Sequence, residues 1–291
     1  MSQLNDFSIP RATELVTDAG NLCGLRWGTP GENPILALHG WLDNAASFGF
    51  LAPLLDNADI VAFDLPGHGC SEHRPLGSTY HFIDYIPVVL EIIKELRWKR
   101  CLLIGHSLGA GIASFAAAAA PETISGLFLI DGLGPHTEDG CNAGSRLQKS
   151  LRKPKFSDKT LRKIHTSLET MIDARCRAGK INKESAKLLV ERNAVKVEDG
   201  FCWRTDPRLL FPSPQYMTEE QVSAVLGLIK APTILALASH GLLKNQPNIR
   251  NRIGWFVDLD VQEFVGGHHF HLDNPGPLAK SINRFINKIS Y

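Results

Sequence analysis

The stretch that decides the fold is CLLIGHSLGAGIASFAAAAA, residues 101–120. An apolar run meets Gly105-His106-Ser107-Leu108-Gly109, and a small-residue, Ala-rich stretch follows at once. A strand that ends at a serine and turns directly into a helix brings two backbones close together, so glycines two residues before and two after the serine meet a steric demand. A hydroxyl at such a turn points into open space beside the free N–H groups of the new helix. The five-residue pattern alone recurs by chance in a chain with 25 glycines. Its weight comes from the apolar strand before it and the small-residue helix after it.

Working outward, PILALHG (34–40), DIVAFDLPGHG (59–69), GLFLIDG (126–132) and PTILALAS (232–239) are further near-continuous apolar runs. Continuous runs, as opposed to polar/apolar alternation, mark strands buried on both faces of a parallel sheet. Between them lie NAASFGFLAPLLDN, IDYIPVVLEIIKELRW and LGAGIASFAAAAAPETI, whose apolar positions recur at helical spacing. This alternation predicts an α/β fold: a mostly parallel, doubly wound sheet with helices on both faces. SIPRATELVT and NLCGLRWG read as an antiparallel pair at one edge. The alternation breaks from 136 to 230, where a basic, helix-patterned stretch carries no buried strand run. The chain therefore divides into a first core part (1–135), an inserted helical cap (136–230) over the sheet's C-terminal edge, and a second core part (231–291). The Lys and Arg residues of the insertion read as a solvated helix face.

Composition narrows the partners. With 31 basic and 30 acidic residues among 291, the balance argues against nucleic acid or an anionic membrane surface as a partner. No apolar run approaches the ~20 residues of a membrane span, and the N-terminus lacks the pattern of a signal peptide. Six cysteines without CxxC spacing read as reduced thiols of a soluble cytoplasmic protein. Nothing in the pattern defines an oligomeric state.

A serine hydroxyl is a poor nucleophile unless a base takes its proton. VQEFVGGHHFHLDNP (261–275) supplies a late strand, a Gly-Gly turn and histidines at 268, 269 and 271. With this loop and the Ser107 turn together, the chain resembles the α/β-hydrolase-fold superfamily, in which a loop of the form G-H-x-x-H-L-(D/E)-x-P closes the site. Aligned on that form, the resemblance assigns the base to His268, with His269 as the alternative. FDLPGHGCSEHRP (63–75) matches a structural hallmark of the same superfamily, so Asp64 and His68 are expected to be architectural. WRTDPRL and PSPQYMTEEQ resemble the helical cap of its serine-hydrolase-like subgroup.

The usual position of the triad acid holds no acid, which implies either an inactive chain or an acid placed elsewhere. The superfamily usually carries it after the strand that follows the insertion, and there PTILALASHGLLKN has Gly241. GLFLIDGLGP instead puts Asp131 at the end of the strand after the nucleophile helix, a position some superfamily members use. A carboxylate closing so apolar a run calls for a partner. Asp131 is the expected acid, with Asp258 and Asp260 as alternatives. For the oxyanion hole the resemblance points to the backbone N–H groups of Leu108 and of Trp41, in the His39-Gly40-Trp41 turn. The expectation is a serine hydrolase acting on esters or similar small acyl substrates, without cofactor or metal. Serine-dependent C–C cleavage, lactone opening and perhydrolysis use the same triad, and an inactive binding protein of the same fold is the alternative of a different class.

Overall fold

The computed structural model describes residues 9–152 and 163–289. The extreme N-terminus and the basic run at 153–162, part of the expected helical insertion, lie outside the described residues. Eight strands form one sheet: β1 (Arg11–Thr17), β2 (Gly20–Gly28), β3 (Asn33–Leu38), β4 (Ala58–Phe63), β5 (Cys101–His106), β6 (Ile124–Ile130), β9 (Thr233–His240) and β10 (Leu259–Gly267). The spatial order is β1-β2-β4-β3-β5-β6-β9-β10. β1 and β2 pair antiparallel at one edge, β2 pairs antiparallel with β4, and every later pairing is parallel. Strands β4, β5 and β6 are buried along their whole length, as their continuous apolar runs require.

Two apolar layers clothe the sheet. On one face β-strand side chains pack with α1 (Tyr85–Glu95) and α2 (Leu108–Ala119). On the other they pack with Phe48, Leu51, Phe270 and Phe285, from the 44–55 region and from α8 (Phe270–Asp273) and α9 (Pro275–Ile286). The helix expected over 44–57 is broken into two 3-10 turns, Ala45–Phe48 and Ala52–Leu54. Gly49 and Pro53 explain the break: one has low helix propensity and the other removes a backbone donor.

The segment between β6 and β9 carries α3 (Ala143–Leu151), α4 (Leu168–Gly179), α5 (Lys183–Asn193), a hairpin of β7 (Ala194–Val197) and β8 (Gly200–Trp203), and α6 (Glu219–Leu226). Helix α7 (Ile249–Ile253) lies between β9 and β10. Met171, Ile172, Leu189 and Val190 of α4 and α5 build a small core of their own, completed by Leu272 of α8. By contrast Val222 and Leu226 of α6 belong to the main core, so the chain rejoins the sheet before residue 230.

The expectation of a solvated basic face is corrected at three arginines of this segment. Arg175 pairs with Asp43, and Arg192 pairs with the fully buried Asp64 at 2.9 Å. Arg208, only 3% exposed, pairs with Asp206 and donates to the carbonyls of Arg74, Pro75 and Ser78. They fasten the segment to core loops through buried, charge-assisted hydrogen bonds.

Candidate active site

The turn at Ser107 is as tight as its sequence implies. Ser107 has φ 52° and ψ −113°, a conformation that L-residues seldom adopt and that persists where the surroundings enforce it. A Cβ on Gly105 would lie 2.4 Å from the Gly109 carbonyl oxygen, and one on Gly109 would lie 2.0 Å from that of Leu38. Both glycines are therefore steric necessities of strand β5 passing into α2. Leu108 opens α2, so its N–H has no intrahelical acceptor and lies at the positive end of the helix.

At the neighbouring strand end, Asp131 also has positive φ, 43°, and is 2% exposed. Its carboxylate accepts from Leu242 N at 3.0 Å, from Ala238 N at 3.3 Å and from His268 Nδ1 at 2.5 Å. A carboxylate holding Nδ1–H fixes the imidazole tautomer and leaves Nε2 as the nitrogen able to take a proton. The glycine in the usual acid position now has a physical reason. A Cβ on Gly241 would sit 2.4 Å from both Asp131 carboxylate oxygens. The volume that an acid at 241 would fill is occupied by the carboxylate arriving from β6.

The alternatives are placed elsewhere. Asp258 and Asp260 are exposed and flank the first residue of β10, at the opposite end of that strand from the histidine loop. His269 faces Asp43, with Nε2 3.4 Å from Oδ2, and not Asp131. His268 is thus the histidine joined to the buried acid. It is tied to the Ser107 turn as well: His106, immediately before Ser107, donates from Nε2 to the His268 carbonyl at 2.9 Å. Trp41 is half exposed beside Leu42, whose φ is 63°, in the loop after β3.

The rest of the histidine loop is structural. His271 is fully buried and its Nε2 pairs with the Ser47 hydroxyl at 2.8 Å, while burial holds its pKa well below the ordinary histidine range. Leu272 enters the α4–α5 core, and Asp273 accepts from the Ser185 hydroxyl at 2.7 Å. Asp64 accepts from Ala45 N and Cys70 N, each at 2.7 Å, and from Arg192, matching the architectural role expected of it. His68 is buried, and desolvation lowers its pKa to about 3.

Sequence reasoning missed Asp43, which accepts from Arg175 and approaches His106 and His269. Its place three residues after Gly40, in the loop after β3, was the available signal. No local pattern marks Arg175 as its partner.

Comparison with known proteins agrees with this architecture. Residues 33–173 match the family model for the alpha/beta hydrolase fold. A serine hydrolase-like protein of Danio rerio is 32% identical over 283 residues, covering 92% of this chain and 85% of its own. The chain belongs to the α/β-hydrolase fold family. A crystal structure of a hypothetical protein from Pseudomonas aeruginosa PAO1 superposes on this α/β hydrolase with TM-score 0.86. It is 36% identical, over 95% of this chain and 98% of that one. The thioesterase domain from the curacin biosynthetic pathway has the same fold, with TM-score 0.79 at 24% identity over 96% and 100% of the two chains. Family and relatives together support a hydrolase function. Among the described residues no helix is long and apolar enough to cross a membrane.

Proposed function

We propose that this α/β hydrolase is a serine hydrolase that cleaves carboxylic esters or similar small acyl substrates through Ser107, His268 and Asp131. The observation that carries the reading is the 2.5 Å contact between His268 Nδ1 and the buried Asp131 carboxylate, with the His268 carbonyl held by His106, the residue before the strained serine at the head of α2. Ser107 Oγ attacks the carbonyl carbon while His268 Nε2 takes its proton. The N–H groups of Leu108 and Trp41 receive the negative charge that develops on the carbonyl oxygen. The imidazolium, stabilised by Asp131, returns the proton to the leaving alcohol and an acyl-enzyme remains. Water then attacks the acyl carbon, with His268 again as base, which releases the acid and restores Ser107. The β6–β9 segment acts as the cap that limits substrate size and excludes bulk water. The chemistry uses no cofactor. Six unpaired cysteines suit a reducing, cytoplasmic setting.

The test is hydrolysis of nitrophenyl esters of graded acyl length, with acyl-enzyme trapped by acid quench and located by peptide mass. An acyl adduct on Ser107 and saturable hydrolysis, both lost in Ser107→Ala, are expected. A folded chain that neither forms an adduct nor hydrolyses any ester of the series would overturn the reading.

A further inference from the structure

Three donor atoms that the proposed chemistry does not use converge beside the histidine loop. Asp43, His106 and His269 each offer a donor atom within 4.8 Å of those of the other two, and all three residues are buried. Asp43 Oδ2 is 3.5 Å from His106 Nδ1 and 3.4 Å from His269 Nε2. The surrounding hydrogen bonds fix what these atoms present. His106 Nε2 faces the His268 carbonyl, which can only accept, so the proton is on Nε2 and Nδ1 of the neutral ring carries a lone pair. His269 Nε2 faces an Arg175 nitrogen at 3.2 Å, and a guanidinium can only donate, so this nitrogen carries a lone pair too, which Arg175 must release for an ion to take it. Arg175 also holds the Oδ1 oxygen of Asp43. Asp43 Oδ2 and His106 Nδ1 have no hydrogen-bond partner among the described residues. Acceptors thus face acceptors in a buried place, where an unserved polar atom is destabilising.

We propose that Asp43, His106 and His269 form a binding site for a divalent transition-metal ion of the zinc type. Two imidazoles and a carboxylate, with a fourth position for water, are a common donor set for such ions. With ligand bonds of about 2.0–2.1 Å in a tetrahedron, donor atoms lie about 3.3–3.4 Å apart. The two separations on Asp43 Oδ2 are close to that value. The ion supplies the positive charge that the lone pairs face. Arg175 keeps Oδ1 and orients the carboxylate from behind, as outer-shell partners of metal ligands do. Its own charge opposes the ion, so it limits the affinity. No local sequence pattern marks this cluster, because its donors come from three distant segments: the loop after β3, the Ser107 turn and the histidine loop. An ion there pins His269 next to His268, and His106 next to Ser107, so its occupancy slows hydrolysis. That consequence rests on the serine-hydrolase reading, whereas the binding itself does not.

The experiment titrates the full chain, freed of metal by chelator dialysis, with Co²⁺. Visible absorption and bound metal at dialysis equilibrium are read for wild type, His269→Gln, Asp43→Asn and Arg175→Met. One ion per chain with tetrahedral bands and no thiolate charge-transfer band is expected. Binding weakens at least tenfold in His269→Gln and Asp43→Asn and tightens about tenfold in Arg175→Met. Zn²⁺ also slows fluorophosphonate labelling of wild type, and less so of His269→Gln, each compared with its own metal-free rate. Absence of binding by folded wild type at millimolar Co²⁺, or binding undiminished by both ligand substitutions, overturns the proposal. A chain that binds Co²⁺ as described yet never labels at Ser107 would fail the hydrolase reading alone.

Discussion

Gly241→Ala tests the relocated acid at a position that touches neither nucleophile nor base. The added Cβ would sit 2.4 Å from both Asp131 carboxylate oxygens and 2.6 Å from the carboxyl carbon. Such contacts are more than 0.5 Å inside ordinary packing, so the carboxylate has to move. Moving it lengthens the 2.5 Å contact with His268 Nδ1 and disturbs the bonds from Leu242 N and Ala238 N. A displacement of about 1 Å in a catalytic group lowers turnover about 10²-fold, equivalent to about 2.7 kcal/mol of barrier. Complete loss of the acid, as in Asp131→Asn, sets the limit at about 10⁴-fold. The folding penalty of one overpacked methyl is about 1–3 kcal/mol, small enough to leave a folded enzyme. Steady-state ester hydrolysis and the rate of Ser107 labelling, read beside urea unfolding, separate the two effects. Activity of Gly241→Ala within twofold of wild type would refute the claim that this glycine makes room for a working acid.

Further outcomes follow from the same contacts. The double substitution Asp131→Gly with Gly241→Asp returns a carboxylate to the same volume from the other strand end, and it is expected to recover at least tenfold over Asp131→Gly in ester hydrolysis; no recovery would contradict the shared-volume argument. Arg192→Met leaves the buried Asp64 carboxylate without its cation, so the urea midpoint should fall by the equivalent of about 3 kcal/mol; an unchanged midpoint would contradict the anchoring role. Burial holds His106 and His68 neutral, with pKa values lowered to about 4 and about 3 from 6.5. The unfolded chain therefore binds more protons than the folded one between pH 6.5 and about 4, and stability falls with acidification through that window. Each histidine should lose about 2 kcal/mol between pH 7 and pH 5, and a chain equally stable to urea at both values would contradict the assignment.

Much of the fold was legible because burial on both faces leaves a plain trace. The runs CLLIGH and ISGLFLI contain almost nothing polar, and β5 and β6 are the strands they become. The Ser107 turn was legible because close backbone approach admits little but glycine at 105 and 109. Asp131 stood out as a lone charge at the end of an apolar run, and it lies against His268 Nδ1. What was not legible depends on side chains meeting across the chain. Arg175, Arg192 and Arg208 looked like part of a solvated basic face, since a lysine- or arginine-rich helix reads alike whether its partners are water or buried carboxylates. The hairpin β7–β8 was missed within a helix-patterned stretch, although Asp199 in its two-residue loop and Gly200, at φ 140° directly after it, are turn-type residues. The apolar spacing at 44–57 suited a helix, and Gly49 and Pro53 should have outweighed it.

The central claim is an activated serine at 107, and reaction with a fluorophosphonate tests it most directly. Intact mass and peptide mapping of wild type, Ser107→Ala, His268→Ala and Asp131→Ala should give one adduct on Ser107, absent in the first variant and formed far more slowly in the other two. Folded wild type that stays unlabelled, or labels at another residue with Ser107→Ala unaffected, would contradict the account.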